Sequence, residues 1–141
     1  SLTSIKYVEI AQRLTPTSTA FLFHLCTNME GGDFSKLDVS NTTAMNSMFY
    51  FVGKDVSEVN IFGLEEWDTS KVINMMSMFA YSGSNSLSWN IGDISNWDTS
   101  NVTSMRSMFE GVASLKASSW DVIDLSNWDV SSVLNMQGMF S

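Results

Sequence analysis

The sequence has only one cysteine and one histidine in 141 residues. With Cys26 alone, the chain can form neither an intramolecular disulfide nor a cysteine-rich zinc site. His24 lies two residues away, and we do not expect the two side chains to form a nucleophile–base pair. The sequence also lacks glycine-rich phosphate loops, HExxH motifs and nucleophile elbows. We therefore expect a protein that is not an enzyme and has no catalytic residues, no cofactor and no metal.

Positive charge is also scarce. Lysine and arginine number 7 against 15 aspartate and glutamate residues, which gives a net charge of −8. Nucleic-acid binding depends on clustered cations, and anionic lipid likewise attracts basic segments. There is no run of 18 apolar residues of the kind that crosses a membrane as a helix. We expect no nucleic-acid partner and no direct membrane insertion, and we interpret the acidity as a solvated surface.

What the sequence does contain is one motif in four copies. Residues 97–109 read W-D-T-S-N-V-T-S-M-R-S-M-F, and related copies occupy residues 37–49, 67–79 and 128–140. The last residues of the copies follow one another at intervals of 30, 30 and 31 residues. A fixed period in this range is the signature of a solenoid or a similar array. The repeat predicts an α/β solenoid of about four coils, each with a short parallel strand and a short helix.

Each copy divides into a strand, a turn, a helix and a variable loop. Tryptophan and β-branched residues favour strands within residues 59–68, 89–98 and 120–129. In the helix that follows, valine, two methionines and phenylalanine recur at i, i+3, i+6 and i+7. Between strand and helix, aspartate and serine are predicted to form turns and helix caps, at Asp38, Asp68, Asp98, Asp129, Ser40, Ser70, Ser100 and Ser131. The copies differ most at residues 80–88 and 110–119, where we expect loops and, with them, function.

Large apolar side chains recur at three positions of the motif. Equivalent residues in stacked parallel strands lie about 4.8 Å apart, so each position predicts one buried column. Methionine fills irregular gaps between stacked elements, which favours a core role over a metal-binding thioether cluster. The predicted core residues are Leu37, Trp67, Trp97, Trp128, Met48, Met78, Met108, Met139, Phe49, Phe79, Phe109 and Phe140.

The aspartate of the motif has two interpretations. Four carboxylates about 5 Å apart repel one another, so each must be stabilised by backbone N–H groups or by a cation. The capping role is the simpler one, because each aspartate opens a turn. Calcium held between neighbouring carboxylates is the alternative, although the glycine-rich calcium-binding nonapeptide is absent.

The first 36 residues do not carry the motif. Ile5, Val8, Ile10 and Leu14 predict a short amphipathic helix that ends near Pro16. A solenoid needs a different element over its first coil, so we expect residues 1–33 to form an N-terminal helical cap and residues 34–141 to form one repeat domain. An uncovered last coil predicts self-association through its open end.

The unit W-D-[TV]-S-x-V-x-x-M-x-x-M-F resembles the BspA-type repeat of bacterial and protist surface antigens, which is also described as a mycoplasma lipoprotein-associated repeat of unknown function. The resemblance covers residues 34–141 and is closest at residues 97–109. It implies a divergent leucine-rich-repeat-like solenoid on a secreted or cell-surface protein, with a role in adhesion or host-protein binding. It implies no catalytic residues.

These observations lead to two expected functions. The first is a non-catalytic binding or adhesion module that holds a protein or a glycan through the solenoid face or the variable loops. The second is a structural spacer within a longer repeat array, with no ligand of its own.

Overall fold

The protein forms a small parallel β-sheet with almost no helix. The computed structural model describes residues 2–112 and 123–141. The strands are β1 (Tyr7–Glu9), β2 (Gly31–Asp33), β3 (Glu58–Phe62) and β4 (Ser88–Asn90), and they lie in the sheet in the order of the chain. The only helical element of the described ranges is a 3-10 turn at Leu2–Ser4. That part of the chain therefore contains no helix long and apolar enough to cross a membrane.

The sheet register places one repeat beside the next. Val8 pairs with Gly32, Gly32 with Ile61, and Val59 with Trp89, all in parallel pairs. A close approach of backbones explains the glycines of β2. A Cβ atom on Gly31 would lie 1.9 Å from the carbonyl oxygen of Asn60, so a side chain there would force β2 and β3 apart.

A second ladder of hydrogen bonds joins the same copies through their Met-x-x-Met-Phe stretches. The N–H groups of Met45, Met75 and Met105 each donate at 2.9 Å to a carbonyl one copy further along the chain. Single parallel bridges also connect Ala44 to Asn74 and Asn74 to Ser104. Consecutive copies therefore lie side by side and are hydrogen-bonded to each other along two sides.

The predicted helices after the Asp-Thr-Ser segments are not formed in the described residues. These stretches are turns, and Ser47, Ser77 and Ser107 each have a φ of 54° to 56°, in the left-handed region. The N–H of Phe49 donates to Met78 in the next copy rather than to a residue four positions earlier. The spacing of three residues therefore reflects short turns, because the helical hydrogen bonds are replaced by bonds between copies.

The predicted helical cap is also absent. Strand β1 occupies the centre of the segment expected to be helical, and it pairs with β2 in the common sheet. Further along, the N–H of Phe23 donates to the carbonyl of Met48 at 3.0 Å, as equivalent residues do between later copies. The N-terminal segment is thus built like the copies that follow it, because its backbone groups find the same partners.

The predicted strand windows agree with two observed strands. Strand β3 overlaps the first residues of the window 59–68, and β4 overlaps the start of the window 89–98. Residues 120–122 of the third window lie outside the described residues, and residues 123–129 contain no strand.

The interior contains two aromatic columns. The ring centroids of Trp67 and Trp97 lie 5.9 Å apart, and those of Trp97 and Trp128 lie 6.1 Å apart, with the rings nearly parallel. A phenylalanine column runs beside them with centroid spacings of 5.4 to 5.7 Å. The buried members of the predicted core are Leu37, Trp67, Trp97, Trp128, Met48, Met78, Met108, Met139, Phe49, Phe79 and Phe109.

Phe140 departs from the expected core. Its side chain is 68% exposed. Phe109 covers one face of its ring, at a centroid distance of 5.7 Å, whereas the described residues place no ring over the other face. The phenylalanine column therefore buries Phe49, Phe79 and Phe109, which have a ring on both sides, and leaves Phe140 exposed.

Candidate functional site

The aspartates of the motif cap turns rather than helices. In each copy one carboxylate oxygen, Oδ1, accepts the backbone N–H of the serine two residues later. The distances are 3.0 Å for Asp38–Ser40, Asp68–Ser70 and Asp98–Ser100, and 2.9 Å for Asp129–Ser131. This arrangement is an Asx turn, which aspartate and serine favour. The expected turns are therefore formed, but no helix follows them.

These hydrogen bonds stabilise the charged form of the carboxylates. The Ser40 hydroxyl, the Arg13 guanidinium and the Ser40 backbone N–H lower the pKa of Asp38 from 3.8 to about 2. The pKa values of Asp68 and Asp129 are lowered in the same way by the serines of their own turns. Backbone N–H and hydroxyl donors thus stabilise the charged carboxylates, as the capping interpretation of these aspartates requires. Within residues 2–112 and 123–141, no group of three or more histidine, cysteine, aspartate or glutamate side chains is arranged to hold a metal ion.

We expect stability to fall in acid because of this pKa shift. A carboxylate with a lower pKa in the folded state stabilises the fold above the pKa of the unfolded chain, and this contribution disappears as the pH falls through the folded-state value. For Asp38 the loss should occur between pH 3.8 and about 2. Urea unfolding between pH 6 and pH 2 measures it. Asp38→Asn should flatten the profile. A profile equal to that of the wild type would contradict the assignment.

The other polar groups of the motif also make structural contacts. The indole N–H of Trp97 donates to the carbonyl of Leu64 at 2.8 Å, and that of Trp128 donates to Ile94 at 3.0 Å. The Thr69 hydroxyl reaches the carbonyl of Asp98 in the next copy at 3.0 Å. The recurring positions of the motif therefore join neighbouring copies. A binding surface is expected instead at positions where the copies differ.

A row of partly exposed aromatic side chains occupies such positions. We define the aromatic ridge as Phe21, His24, Tyr50, Phe51 and Tyr81. All five lie in or beside the turns that form the second hydrogen-bond ladder, and Phe21 is 54% exposed while the others are half-buried. The residues equivalent to Phe51 in the neighbouring copies are Leu25, Tyr81 and Gly111, so the ridge is not part of the repeated motif.

The ring contacts make the ridge continuous. His24 stacks on Tyr50 with a centroid distance of 5.1 Å, and Phe51 stacks on Tyr81 at 4.8 Å. Tyr50 meets Phe51 edge to face at 4.7 Å, and Phe21 meets His24 in the same manner at 5.6 Å. The five rings therefore form one surface that extends across three adjacent turns.

Charged side chains border the ridge at two points. The Lys54 ammonium lies 5.3 Å from the centroid of the Phe51 ring, within the range of a cation–π contact. The Tyr81 hydroxyl donates a hydrogen bond to the Glu110 carboxylate. That bond raises the pKa of Tyr81, and together with the Ser107 hydroxyl it lowers the pKa of Glu110. The ridge thus combines apolar rings with a cation at one point and an anion at another.

Backbone geometry fixes where the ridge residues point. Phe51 and Tyr81 both have a φ of 57°, and Gly111 occupies the equivalent position in the next copy with a φ of 61°. A Cβ atom on Gly111 would lie 2.5 Å from Cδ1 of Tyr81, so the tyrosine ring occupies the space that a side chain would need.

Sequence reasoning did not identify the ridge, because it ranked residues by recurrence and these residues do not recur. One signal was present. Tyr81 lies in the first and Glu110 begins the second of the two variable segments, 80–88 and 110–119, where we expected function to lie. Of the second segment, residues 113–119 lie outside the described residues.

The geometry defines a protein of stacked, hydrogen-bonded copies with a separate aromatic surface. The chain belongs to the family described as "Mycoplasma protein of unknown function, DUF285", whose model matches residues 17–141. The match begins at residue 17, whereas the first copy of the motif begins at residue 37. It therefore includes a segment that does not carry the motif. No curated protein matches the chain. No solved structure matches it.

Proposed function

We propose that the chain is a non-catalytic protein-binding module and that the aromatic ridge is its contact surface. One observation carries the proposal. The recurring residues join neighbouring copies to each other, whereas partly exposed rings are concentrated at positions where the copies differ. Aromatic side chains are enriched at protein interfaces and supply most of their high-energy contacts.

The ring orientations favour a protein partner over a glycan. Sugars bind aromatic residues through open ring faces, but stacking covers one face of each of the rings of Phe51, Tyr81, His24 and Tyr50. The ridge therefore offers few open ring faces, and its rings are bordered by the charges of Lys54 and Glu110. Apolar anchors bordered by charges are the usual composition of a protein interface.

The backbone conformation alone gives little reason for these aromatic residues, because Gly111 adopts it at the equivalent position. A side chain other than glycine in the left-handed region costs about 1–2 kcal/mol. An aromatic pair returns roughly 0.5–1.5 kcal/mol beyond its burial. Glycine at residue 51 or 81, as found at Gly111, would serve the backbone equally well. A role of Phe51 and Tyr81 in contacting a partner explains their presence.

We further propose that the copies form a right-handed solenoid of the BspA-type leucine-rich-repeat class on a secreted or cell-surface protein. Parallel strands in chain order support the solenoid, and connections between parallel strands are right-handed in about 98% of cases. The sequence resemblance of residues 34–141 supports the class and the location. A surface location would bring the ridge into contact with host proteins.

The test compares a ridge variant with a control variant of the same size. Phe51→Ser combined with Tyr81→Ser removes the centre of the ridge. Tyr7→Ser combined with Phe62→Ser removes two rings that are 57% and 49% exposed and lie on strands of the sheet. Immobilised chains are exposed to host extracellular proteins, and the affinity of each captured protein is then measured. Loss of contacts at an interface centre costs about 2 kcal/mol or more, so we expect about 25-fold weaker binding for the ridge variant only.

Three other outcomes oppose the proposal. If no protein binds the wild-type chain, the chain is a spacer. If only the sheet variant loses binding, the site lies on the sheet. Binding of a glycan but of no protein would contradict the argument from ring orientation. Melting temperatures of both variants provide the control for folding.

A further inference from the structure

A cavity of about 330 Å³ lies between the Asp-x-Ser turns of the first two copies. Its floor is apolar, because Leu37, Val39 and Trp67 line it and are themselves almost completely buried. Small-molecule pockets have volumes of about 300–1,000 Å³, so this cavity is near the lower limit and suits a ligand of dipeptide size. No residue of the aromatic ridge lines it.

Charged side chains of both signs line the same cavity. Lys36 immediately precedes the first copy of the motif, Glu66 immediately precedes the second, and Asp68 is the aspartate of the second. Arg13 and Asp38 also line the cavity, but they form an ion pair with each other, so their charges are already balanced. The described lining therefore combines an apolar floor with one cation and two carboxylates that this ion pair does not neutralise.

Lys36 and Glu66 occupy equivalent positions of neighbouring copies and carry unlike charges. Unlike charges at neighbouring positions attract each other, yet within residues 2–112 and 123–141 neither side chain forms an ion pair. The Lys36 ammonium donates instead to the carbonyl of Ala11, at 3.2 Å. Both charges are thus left for a ligand that lies between them.

The later copies do not repeat this arrangement. Asparagine occupies the position of Lys36 and Glu66 in the third and fourth copies. A second cavity, of about 340 Å³, is lined by Asp93 and Asp124 but by no lysine or arginine of the described residues. The combination of unlike charges is therefore a property of the first cavity and does not follow from the repeat itself.

We propose that the first cavity binds a short zwitterionic peptide of dipeptide size. The amino group of the peptide lies against the carboxylates of Glu66 and Asp68, and its carboxylate lies against the Lys36 ammonium. Hydrogen bonds between charged groups are stronger than those between neutral groups. The apolar side chains of the peptide cover the floor formed by Leu37 and Trp67. A ligand with one charged end would leave the opposite charge of the cavity unpaired, so the site selects zwitterions over simple amines and carboxylates.

Calorimetric titration of the 141-residue chain with leucyl-leucine and its capped forms tests the ligand chemistry. N-acetyl-leucyl-leucine lacks the positive end, and leucyl-leucine amide lacks the negative end. Loss of either charged contact should weaken binding about tenfold. If leucyl-leucine does not bind the wild-type chain, or if a capped form binds equally well, the cavity does not recognise a zwitterion.

Substitutions on the two sides of the cavity test its position. Lys36→Gln and Glu66→Gln should each weaken binding of leucyl-leucine about tenfold. In the Lys36→Gln variant, the amide should bind as well as leucyl-leucine, because the partner of the peptide carboxylate is gone. Glu65→Gln is the matched control. Glu65 is exposed, does not line the cavity and has its carboxylate beside Gly92 of the next copy, so this variant should bind like the wild type.

Three results would overturn the proposal. Equal losses in the Glu65 and Glu66 variants would mean that net charge, and not the cavity, determines binding. If Lys36→Gln still discriminates fully against the amide, the peptide carboxylate binds elsewhere. Phe51→Ser combined with Tyr81→Ser should bind leucyl-leucine normally, and a loss there would place the peptide on the aromatic ridge. Melting curves identify a variant that fails to fold, and the variant on the other side of the cavity then decides.

Discussion

Trp97→Ala should lower the free energy of unfolding by about 3–5 kcal/mol, the usual cost of truncating a buried aromatic side chain. Trp97 is 2% exposed and stacks between Trp67 and Trp128 at 5.9 and 6.1 Å. Its ring also lies 6.4 Å from that of Phe79. Alanine removes all three ring contacts at the middle of the stack. In a chain of this length, the melting temperature should fall by roughly 10–20 °C.

A second variant separates ring packing from hydrogen bonding. Trp97→Phe keeps an aromatic ring in the column but removes the indole N–H that donates to Leu64 at 2.8 Å. Leaving one buried carbonyl without its donor costs about 1–3 kcal/mol, so the phenylalanine variant should lie between wild type and alanine. Thermal and urea unfolding measure both variants. A melting temperature of Trp97→Ala within a few degrees of wild type would show that the column does not hold the copies together.

The sequence predicted the periodic part of the fold well. Recurrence at 30 and 31 residues indicated that equivalent residues lie side by side, and β3 and β4 begin near the start of the windows expected for strands. The Asp-x-Ser turns followed from side-chain chemistry, since aspartate accepts the N–H two residues later whatever the next element is. Features that depend on local chemistry or on the recurrence of residues can therefore be predicted from the sequence.

The helices were predicted where turns are found, for a physical reason. Val102, Met105, Met108 and Phe109 are spaced as on one face of a helix, but a series of three-residue turns produces the same spacing. What separates the two structures is the acceptor of each N–H group. For Phe109 the acceptor is Met139, at 2.9 Å and 30 residues away. A local pattern contains no information about such a distant partner.

The N-terminal segment was predicted to be a helical cap for a related reason. Its sequence lacks the motif, yet its backbone makes the same hydrogen bonds as the motif does. Parallel pairing needs only N–H and carbonyl groups at matching positions, so a segment can join the stack with different side chains. The recurrence of residues therefore underestimates how much of the chain belongs to the structural repeat. The aromatic ridge was not predicted for the same reason, because Phe21 and His24 lie in this segment.

The phenylalanine column allows a comparison between the middle and the end of one row of rings. Phe79 lies between Phe49 and Phe109 at 5.4 and 5.6 Å and meets Trp89 edge to face at 5.9 Å. Phe79→Ala should therefore destabilise the chain by about 3–5 kcal/mol. The cost is high because the substitution weakens the contacts of one copy with both of its neighbours, and the stability of stacked repeats depends on those contacts.

Phe140→Ala is the matched control, since it removes the same side chain from the end of the same column. Phe140 is 68% exposed and has one described ring neighbour, Phe109 at 5.7 Å. Its loss should cost about 1 kcal/mol or less. Urea unfolding at a concentration low enough to keep the chain monomeric compares the two variants. Equal losses would mean that each phenylalanine acts only within its own copy. A large difference would mean that contacts between copies supply the stability, so that every ring with neighbours on both sides contributes more than the same ring at an edge.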